Sequence, residues 1–430
     1  MLAPARLSRC ASSVFLARRT LLSSAFALDE TWAGRHKDLQ KLGLGGDYEW
    51  IATVQKKFIG GGVGSAVDVD AAVCIAEHKD QVDDVTELVY KLRHSPSAAD
   101  LLPSTEYALL RLLLKHQPDQ VFQLADDPIN YGVFPNEHSA CLLIDHFLEQ
   151  GNTQNAARLA TWVMLQEMTD NSLLNLLSLY AVAKWSELPA EERTLPMKVE
   201  AEAEEEDINE DDMRTFKFPW LKNEWNDGHF DVVEAEVLVG KTLRWMARDT
   251  KEIDDATRRS AIALGAQLAK DDKETARLVQ SGSVHGAVAQ FIVSQIEAHL
   301  KAQGAEAVPS THQQATLSTL GSKGKADVGL FSDVFFKALQ TVQPEAEKQL
   351  MAQQKAEFAE WAEKRTSLVR AQAERLLLKV KLEDVEAELA ALQSREEKLN
   401  FFESRLTWEK RADDNDQIEA VEGKKKAATA

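Results

Sequence analysis

Cysteine is nearly missing from this chain. Cys10, Cys74 and Cys141 are far apart and form no CxxC pair, which excludes a disulfide framework and a ribbon-type zinc site. Glycine and proline are sparse, 20 and 11 in 430 residues, and alternating Val/Ile/Thr runs are rare, so a sheet-based fold has little support. No unbroken run of about 18 apolar residues occurs, and nothing is expected to span a membrane. An excess of basic residues is also lacking. A net charge of -19 argues against sequence-independent nucleic-acid binding by the whole surface, because that binding rests on Lys and Arg neutralising phosphates; a local basic patch stays open. Catalytic constellations are absent too. His138, Cys141 and His146 share one helical segment, but Cys141 and His146 lie roughly 140° apart around its axis, a poor arrangement for joint ligation. The acidic pairs sit in charge runs rather than in apolar pockets that would raise a pKa. We therefore expect no enzyme, no metal and no cofactor.

The amino terminus carries more information. The stretch MLAPARLSRCASSVFLARRTLLSSAFAL has Arg6, Arg9, Arg18 and Arg19 and no acidic residue before Asp29. Its serines, alanines and arginine-broken apolar runs match a mitochondrial presequence over residues 1–28, and the mature protein is expected in the matrix. Residues 29–67 then read as a helical lead-in ending in a loop, GGGVGS (Gly60–Ser65). No GxGxxG spacing fits that loop, and the Gly240–Lys241–Thr242 triplet has Ala235 where a phosphate loop needs its first glycine. Both read as structural.

From residue 68 to 185 the apolar spacing becomes regular. Val69, Val73 and Ala76 form one stripe, and Val82, Val85, Val89 and Leu92 a second. Ser104 is expected to cap a helix striped by Ala108, Leu109, Leu112 and Leu113, with Pro118 starting its partner, Val121 to Leu124. A third pair follows. Pro135 and Asn136 open it, Leu143, Ile144 and Phe147 stripe its first helix, and Gly151 ends that helix. Ala156, Leu159, Ala160, Val163 and Met164 then follow the i, i+3, i+4, i+7 rule of one buried face. Helix starts about 32–36 residues apart match the period of helix-turn-helix arrays. One such hairpin cannot bury its own apolar face, so stacking of neighbours is expected. The fold class is thus all-α: a helix-turn-helix solenoid of hairpins followed by a long carboxy-terminal helix.

Beyond Trp185 the periodicity stops. Residues 186–217 read as an acidic linker, since Val199–Asp212 holds nine carboxylates and no basic residue. Further helical hairpins are expected over 218–300, with Trp220 and Trp225 near their start, and a flexible linker over 301–327. Residues 328–412 read as a long helix or coiled coil. Leu368, Ala371, Leu378, Leu382, Val385, Leu389, Leu392, Leu399 and Leu406 nearly keep an a/d seam, with Arg375, Glu396 and Glu403 at its polar positions. The seam fits equally a helix lying on another protein and a two-stranded coiled coil. Residues 413–430, ending in GKKKAATA, read as a disordered tail.

One cationic cluster stands out. Lys91, Arg93 and His94 end one hairpin, and Arg111, Lys115 and His116 lie on the next helix. Together they form a candidate stripe for phosphate contacts, although such residues also serve simply to solvate helix faces.

The stretch from Val133 to Glu167 resembles a pentatricopeptide repeat: Pro135 and Asn136 at its start, LLID at Leu142–Asp145, Gly151 at the turn, Ala156 in the second helix, Met164 late. Four blocks, LLSSAFALDETW, YKLRHSP, YGVFPNEHSACLLIDHFLEQGNTQNAARLATWVMLQE and LLSLY, resemble in order and spacing the mitochondrial small-subunit ribosomal protein twenty-seven family over Leu21–Tyr180. The charged helix holding Trp361 resembles its tail more loosely. The resemblance implies a pentatricopeptide-type component of the mitochondrial small ribosomal subunit that contacts ribosomal RNA and neighbouring proteins and supports translation. Repeats of this type read single-stranded bases through polar side chains of the first helix. Here those positions fall on Cys141 and Leu109, which cannot bond a base edge well, so an architectural role is expected. A free RNA-maturation factor and a protein-only scaffold joined through Leu368–Leu406 are the alternatives.

Overall fold

The computed structural model describes residues 21–59, 62–196, 232, 234–303, 309–322 and 329–428. The presequence up to residue 20, the acidic run Val199–Asp212, and Trp220 and Trp225 lie outside the described residues. The described residues are helical without a strand. The chain divides into two units, Met1–Glu363 and Lys364–Ala430.

In the first unit the lead-in forms α1 (Asp29–Ala33), α2 (Arg35–Lys41) and α3 (Asp47–Lys57). The turn between α2 and α3 needs Gly43 and Gly45 at φ 68 and 84, a region closed to most L-residues. The repeat-like region follows as α4 (Ala66–Ile75), α5 (Val82–Arg93), α6 (Pro103–His116), α7 (Val121–Asp126), α8 (Pro128–Tyr131), α9 (Glu137–Glu149), α10 (Thr153–Leu165) and α11 (Ser172–Ser186). The four longer first helices start at Ala66, Pro103, Glu137 and Ser172, roughly 35 residues apart. In sequence order each packs on the next: α4 on α6, α6 on α9, α9 on α11. Helices α4 and α11 are buried on nearly every face, as helices apolar all round must be. The predicted stripes are inside: Val69, Val73, Val85, Val89, Leu109, Leu113, Ile144, Phe147, Ala156, Ala160 and Met164 are all core residues.

Local signals explain the helix ends. Asn136 caps α9, its side chain accepting from the Ser139 amide at 2.9 Å while the Ser139 hydroxyl accepts from the Asn136 amide at 3.0 Å; this reciprocal pair satisfies two otherwise orphaned donors. Gly151 closes the helix at φ 76. The expected cap at Ser104 is corrected. Pro103 takes the first helical position, where its missing N–H costs nothing. The Ser104 hydroxyl instead donates 2.5 Å to the buried Asp70 carboxylate, which also accepts from Thr105 at 2.8 Å.

The second half of this unit holds α12 (Ala235–Asp249), α13 (Asp255–Leu268), α14 (Asp272–Ser281), α15 (Gly286–Gln303) and α16 (Thr311–Ser322). Gly240 of the GKT triplet is a crossing point inside α12. A Cβ there would lie 2.6 Å from the Gly265 carbonyl, and one on Gly265 would lie 2.5 Å from the Gly240 carbonyl. Part of the expected flexible linker 301–327 is helix, a correction. Ser310 and Gln313 cap α16 reciprocally, Gln313 donates to Asp272 at 2.8 Å, and α16 packs on α14. Its serines, threonines and glutamines hid this helix from the periodicity.

Helix α17 (Phe331–Leu399) begins as core. Phe331, Phe335, Leu339 and Leu350 are buried. Running onward it meets the earlier helices in reverse chain order. Ser332 donates to Glu187 after α11 at 2.7 Å and Phe336 faces Tyr180 of α11. Gln354 accepts from Asn136 at the head of α9, and Phe358 and Trp361 meet Tyr107 of α6.

The second unit consists of the rest of α17 and α18 (Phe401–Ala428). The Arg411 guanidinium lies 3.0 Å from the Glu397 carboxylate. In a straight helix those residues would be about 21 Å apart along the axis, so the chain turns at Asn400. Helix continues to Ala428, which corrects the disordered tail expected from residue 413.

Candidate interaction site

The cationic stripe does not form as one solvent-facing surface, which corrects the expectation built on its spacing. Arg93 is buried, and its Nε donates to the Ile129 carbonyl at 3.0 Å. Its side chain lies over Gly132 (φ 63), where a Cβ would come within 3.0 Å of that nitrogen. Burial lowers the Arg93 pKa from its ordinary value. Arg111 turns inward as well: it donates to the Tyr107 hydroxyl at 2.9 Å, to the Ala27 carbonyl at 2.6 Å and to Asp29 at 2.5 Å. His116 bonds the Glu77 carbonyl at 2.7 Å. Lys91 pairs with Glu87 one turn away, and His94 bridges Tyr90 and Asn130 at the surface. Lys115 is exposed. The stripe thus divides into internal fasteners (Arg93, Arg111, His116) and surface groups (Lys91, His94, Lys115).

What Arg111 fastens is a seam that spacing alone did not reveal. Phe26 from the lead-in stacks on His138 at 4.5 Å, and Trp32 meets Tyr107 edge-on at 5.0 Å. Phe358 and Trp361 approach Tyr107 at 5.2 and 5.5 Å. The seam brings the lead-in, α6, α9 and α17 to one place. Its polar atoms form a single chain. His138 Nε2 faces the Phe26 carbonyl at 2.8 Å, so it carries the proton and donates. Nδ1, 3.1 Å from the Tyr107 hydroxyl, accepts from that hydroxyl, which accepts from Arg111. With Nδ1 accepting from Tyr107 the imidazole is neutral. Burial accordingly pushes the His138 pKa down to about 4 and the Tyr107 pKa up to about 12. This network also accounts for His138, one member of the trio that spacing had raised for metal binding.

Beside the seam lies a half-open cavity of about 500 Å³, whose lining includes Trp32, Arg35, Glu77, Arg111, Lys115 and His146. Arg35 stacks over Trp32 at 4.4 Å and donates to the Cys74 carbonyl at 2.7 Å and to Glu77 at 3.1 Å. His36 joins Glu77 at 2.5 Å. These basic groups gather where α4 ends, the negative end of its dipole. The cavity walls are therefore already neutralised within the chain, apart from exposed Lys115.

The two positions at which a reader of bases would need polar groups, Cys141 and Leu109, are both fully buried. Burial pushes the Cys141 thiol well above its ordinary pKa, which leaves it an inert core group. The repeat-defining residues have structural work: Pro135 and Asn136 line the groove against Glu357 and Trp361, and Ala156 and Met164 are core.

In the second unit the heptad residues are open. Leu378, Leu382, Val385, Leu389 and Leu392 are each more than half exposed, and Leu406 is 75% exposed.

The described residues thus form a helical chain in which Cys141 and Leu109 face inward and the second unit carries an open apolar helix. The family model for mitochondrial 28S ribosomal protein S27 matches residues 1–391. The chain belongs to that family, whose members are ribosomal proteins of the mitochondrion and not enzymes. The match runs through the region between Ser186 and Asp327, where sequence blocks alone gave no resemblance. Family membership implies ribosomal RNA and ribosomal proteins as partners. No helix of the described residues is long and apolar enough to cross a membrane.

Proposed function

We propose that the chain is an architectural part of the mitochondrial small ribosomal subunit, in which α4 to α11 act as a short solenoid of pentatricopeptide-like hairpins that positions the particle's parts without reading base sequence. The observation that carries this reading is the burial of Cys141 and Leu109, which removes from contact the side chains that a base code would use. RNA contact then falls to surface cations, Lys91, His94 and Lys115, acting on phosphates, while Arg93 and Arg111 hold the scaffold. The exposed seam Leu368–Leu406 serves contact with neighbouring proteins.

The testing experiment is sedimentation of mitochondrial lysate through a density gradient. Co-migration with the small subunit is expected; recovery only in ribosome-free fractions overturns the reading. Binding of the purified full chain to RNAs of scrambled sequence separates the two modes. Equal, salt-sensitive affinities are expected from phosphate contacts, and a strong preference for one single-stranded sequence would favour a free maturation factor.

A further inference from the structure

The groove against Glu357 and Trp361 differs in kind from the cavity beside Arg35. It encloses about 370 Å³, a volume within the range of ligand sites. Its walls are aromatic: Tyr107 and Phe134 are buried, and the Trp361 ring tilts against Tyr107 at 5.5 Å and 54°. Glu106, Glu357 and Glu360 also line it, and among the described residues no lysine, arginine or histidine does.

Spacing on α17 builds the acidic wall. Glu357, Glu360 and Trp361 stand at i, i+3 and i+4, neighbours on one helix face. Carboxylates so placed repel each other, and the Asn136 and Gln353 amides reach Glu357 only at 3.4 and 3.5 Å. Burial, with Glu137 nearby, raises the Glu357 pKa from its ordinary value.

Part of this negative charge is used within the chain. Helices α6 and α9 begin beside the groove, and each helix start carries about half a positive charge. Glu106, in the first turn of α6, answers them and accepts from the Phe134 amide at 3.2 Å. Two half-charges balance roughly one carboxylate. Glu357 and Glu360 are then left over, facing an aromatic wall without a cation.

We propose that this groove receives an arginine side chain of a neighbouring protein, its guanidinium stacked on Trp361 and forked to Glu357 and Glu360. Tryptophan is the best ring for a cation. A planar guanidinium can stack and bond carboxylate oxygens at once, which a lysine ammonium cannot. The same carboxylates turn phosphates away, so this face meets protein and leaves RNA to Lys91, His94 and Lys115. The source of the arginine rests on the architectural reading. The groove's preference for a guanidinium does not, and its test on the isolated full chain holds or fails apart from the gradient result.

That test follows the indole N–H resonance of Trp361 in the nitrogen-labelled full chain, assigned by its loss in Trp361→Phe. The probe is the peptide acetyl-Gly-Arg-Gly-amide, with citrulline replacing arginine in a neutral control. The arginine peptide should shift the resonance saturably, and the citrulline peptide should leave it in place. Glu357→Gln combined with Glu360→Gln keeps both shapes and should weaken binding about tenfold, the loss of two ion pairs. Equal responses to the two peptides, or equal binding by parent and double variant, overturn the proposal. So does a tighter response to a uridine oligonucleotide, which would make the groove an RNA site. Both substitutions relieve repulsion, so the variant is expected to fold, and circular dichroism verifies it.

Discussion

The helices before Glu363 and those after Lys364 are written with the same apolar residues at comparable helical spacing, and they meet opposite fates. Leu109, Leu113 and Phe147 are fully buried, whereas Leu382, Leu389 and Leu392 are more than half exposed. Periodicity therefore reports that a helix has an apolar face, and nothing about whether this chain covers it. What separates the two regions is company. The first helices of the repeat-like region, α4, α6, α9 and α11, each pack on the next, about 35 residues along the chain, and the start of α17 is covered by α11, α9 and α6, while the heptads lie on one long helix. Burying a leucine is worth about 1.5–3 kcal/mol, so a seam of eight exposed leucine and valine residues is a large reserve for association.

The comparison is broken most severely inside the first region. Leu109→Ala should cost about 2–5 kcal/mol, since it leaves a cavity among residues that cannot collapse freely; the denaturant midpoint of the purified chain measures it. A loss under about 1 kcal/mol would mean that the stacked helices are loosely packed there.

Next comes a pH effect confined to the aromatic seam. Unfolded histidine takes up its proton near 6.5, but His138 holds a folded pKa of about 4. Between those values the unfolded state binds more protons, so stability present above pH 6.5 is lost as pH falls toward 4. The full loss is about 3 kcal/mol. Asp145 has the opposite sign: its pKa rises from 3.8 to about 7, so its share of stability falls as pH rises through that window. The clean readout is the difference in slope between the parent and His138→Leu, which should flatten the acid limb while carrying a pH-independent cost from the lost Phe26 bond. Parallel curves would show that His138 is not the buried neutral group.

Much of the first region was legible in the sequence. The stripes of α4 to α11, the Asn136 cap and the Gly151 turn are local signals, carried by residues within a few positions of one another. What was not legible depends on contacts across long stretches of chain. Leu21 meets Asp145, Ser23 meets Glu347, and Asn136 meets Gln354, and no window of helical spacing spans such distances. Arg93 and Arg111 look like surface cations until the carbonyls that receive them are placed. The long helix expected over 328–412 is α17, and Phe331, Phe335 and Leu339, recurring every four residues, mark its start as the part that is core. By contrast α16, rich in Ser, Thr and Gln, reads as a linker because its stability comes from its cap and from Asp272.

Two smaller effects sharpen the boundary between packing and capping. Gly240→Ala would normally gain up to about 1 kcal/mol of helix propensity. Here the added methyl meets the Gly265 carbonyl, and a net cost of about 1–3 kcal/mol in thermal stability is expected; a gain would show that α12 and α13 can move apart. Asn136→Ala should cost about 1 kcal/mol through the lost cap. Asn136→Asp keeps the cap acceptor but removes the donor to Gln354 and sets a carboxylate beside Glu357, whose pKa burial already raises. If α17 contributes at this point, urea midpoints will show Asp well short of Asn.

The smallest effect on the chain is the most informative about its role. Leu382→Ala removes an exposed side chain, so the isolated protein should change by no more than about 0.5 kcal/mol. If the seam is covered by a neighbour in the particle, the same substitution forfeits buried apolar area there, and each residue of this kind is worth about 1.5–3 kcal/mol. Replacing Leu382, Leu389 and Leu392 together should thus leave the melting curve in place while the chain dissociates from small subunits on a gradient at salt concentrations the parent withstands. Retention equal to the parent's would mean that the second region stays bare in the assembly and that the first region alone holds the chain there. Self-association lost on the same substitutions would instead identify a second copy of the helix as the covering surface.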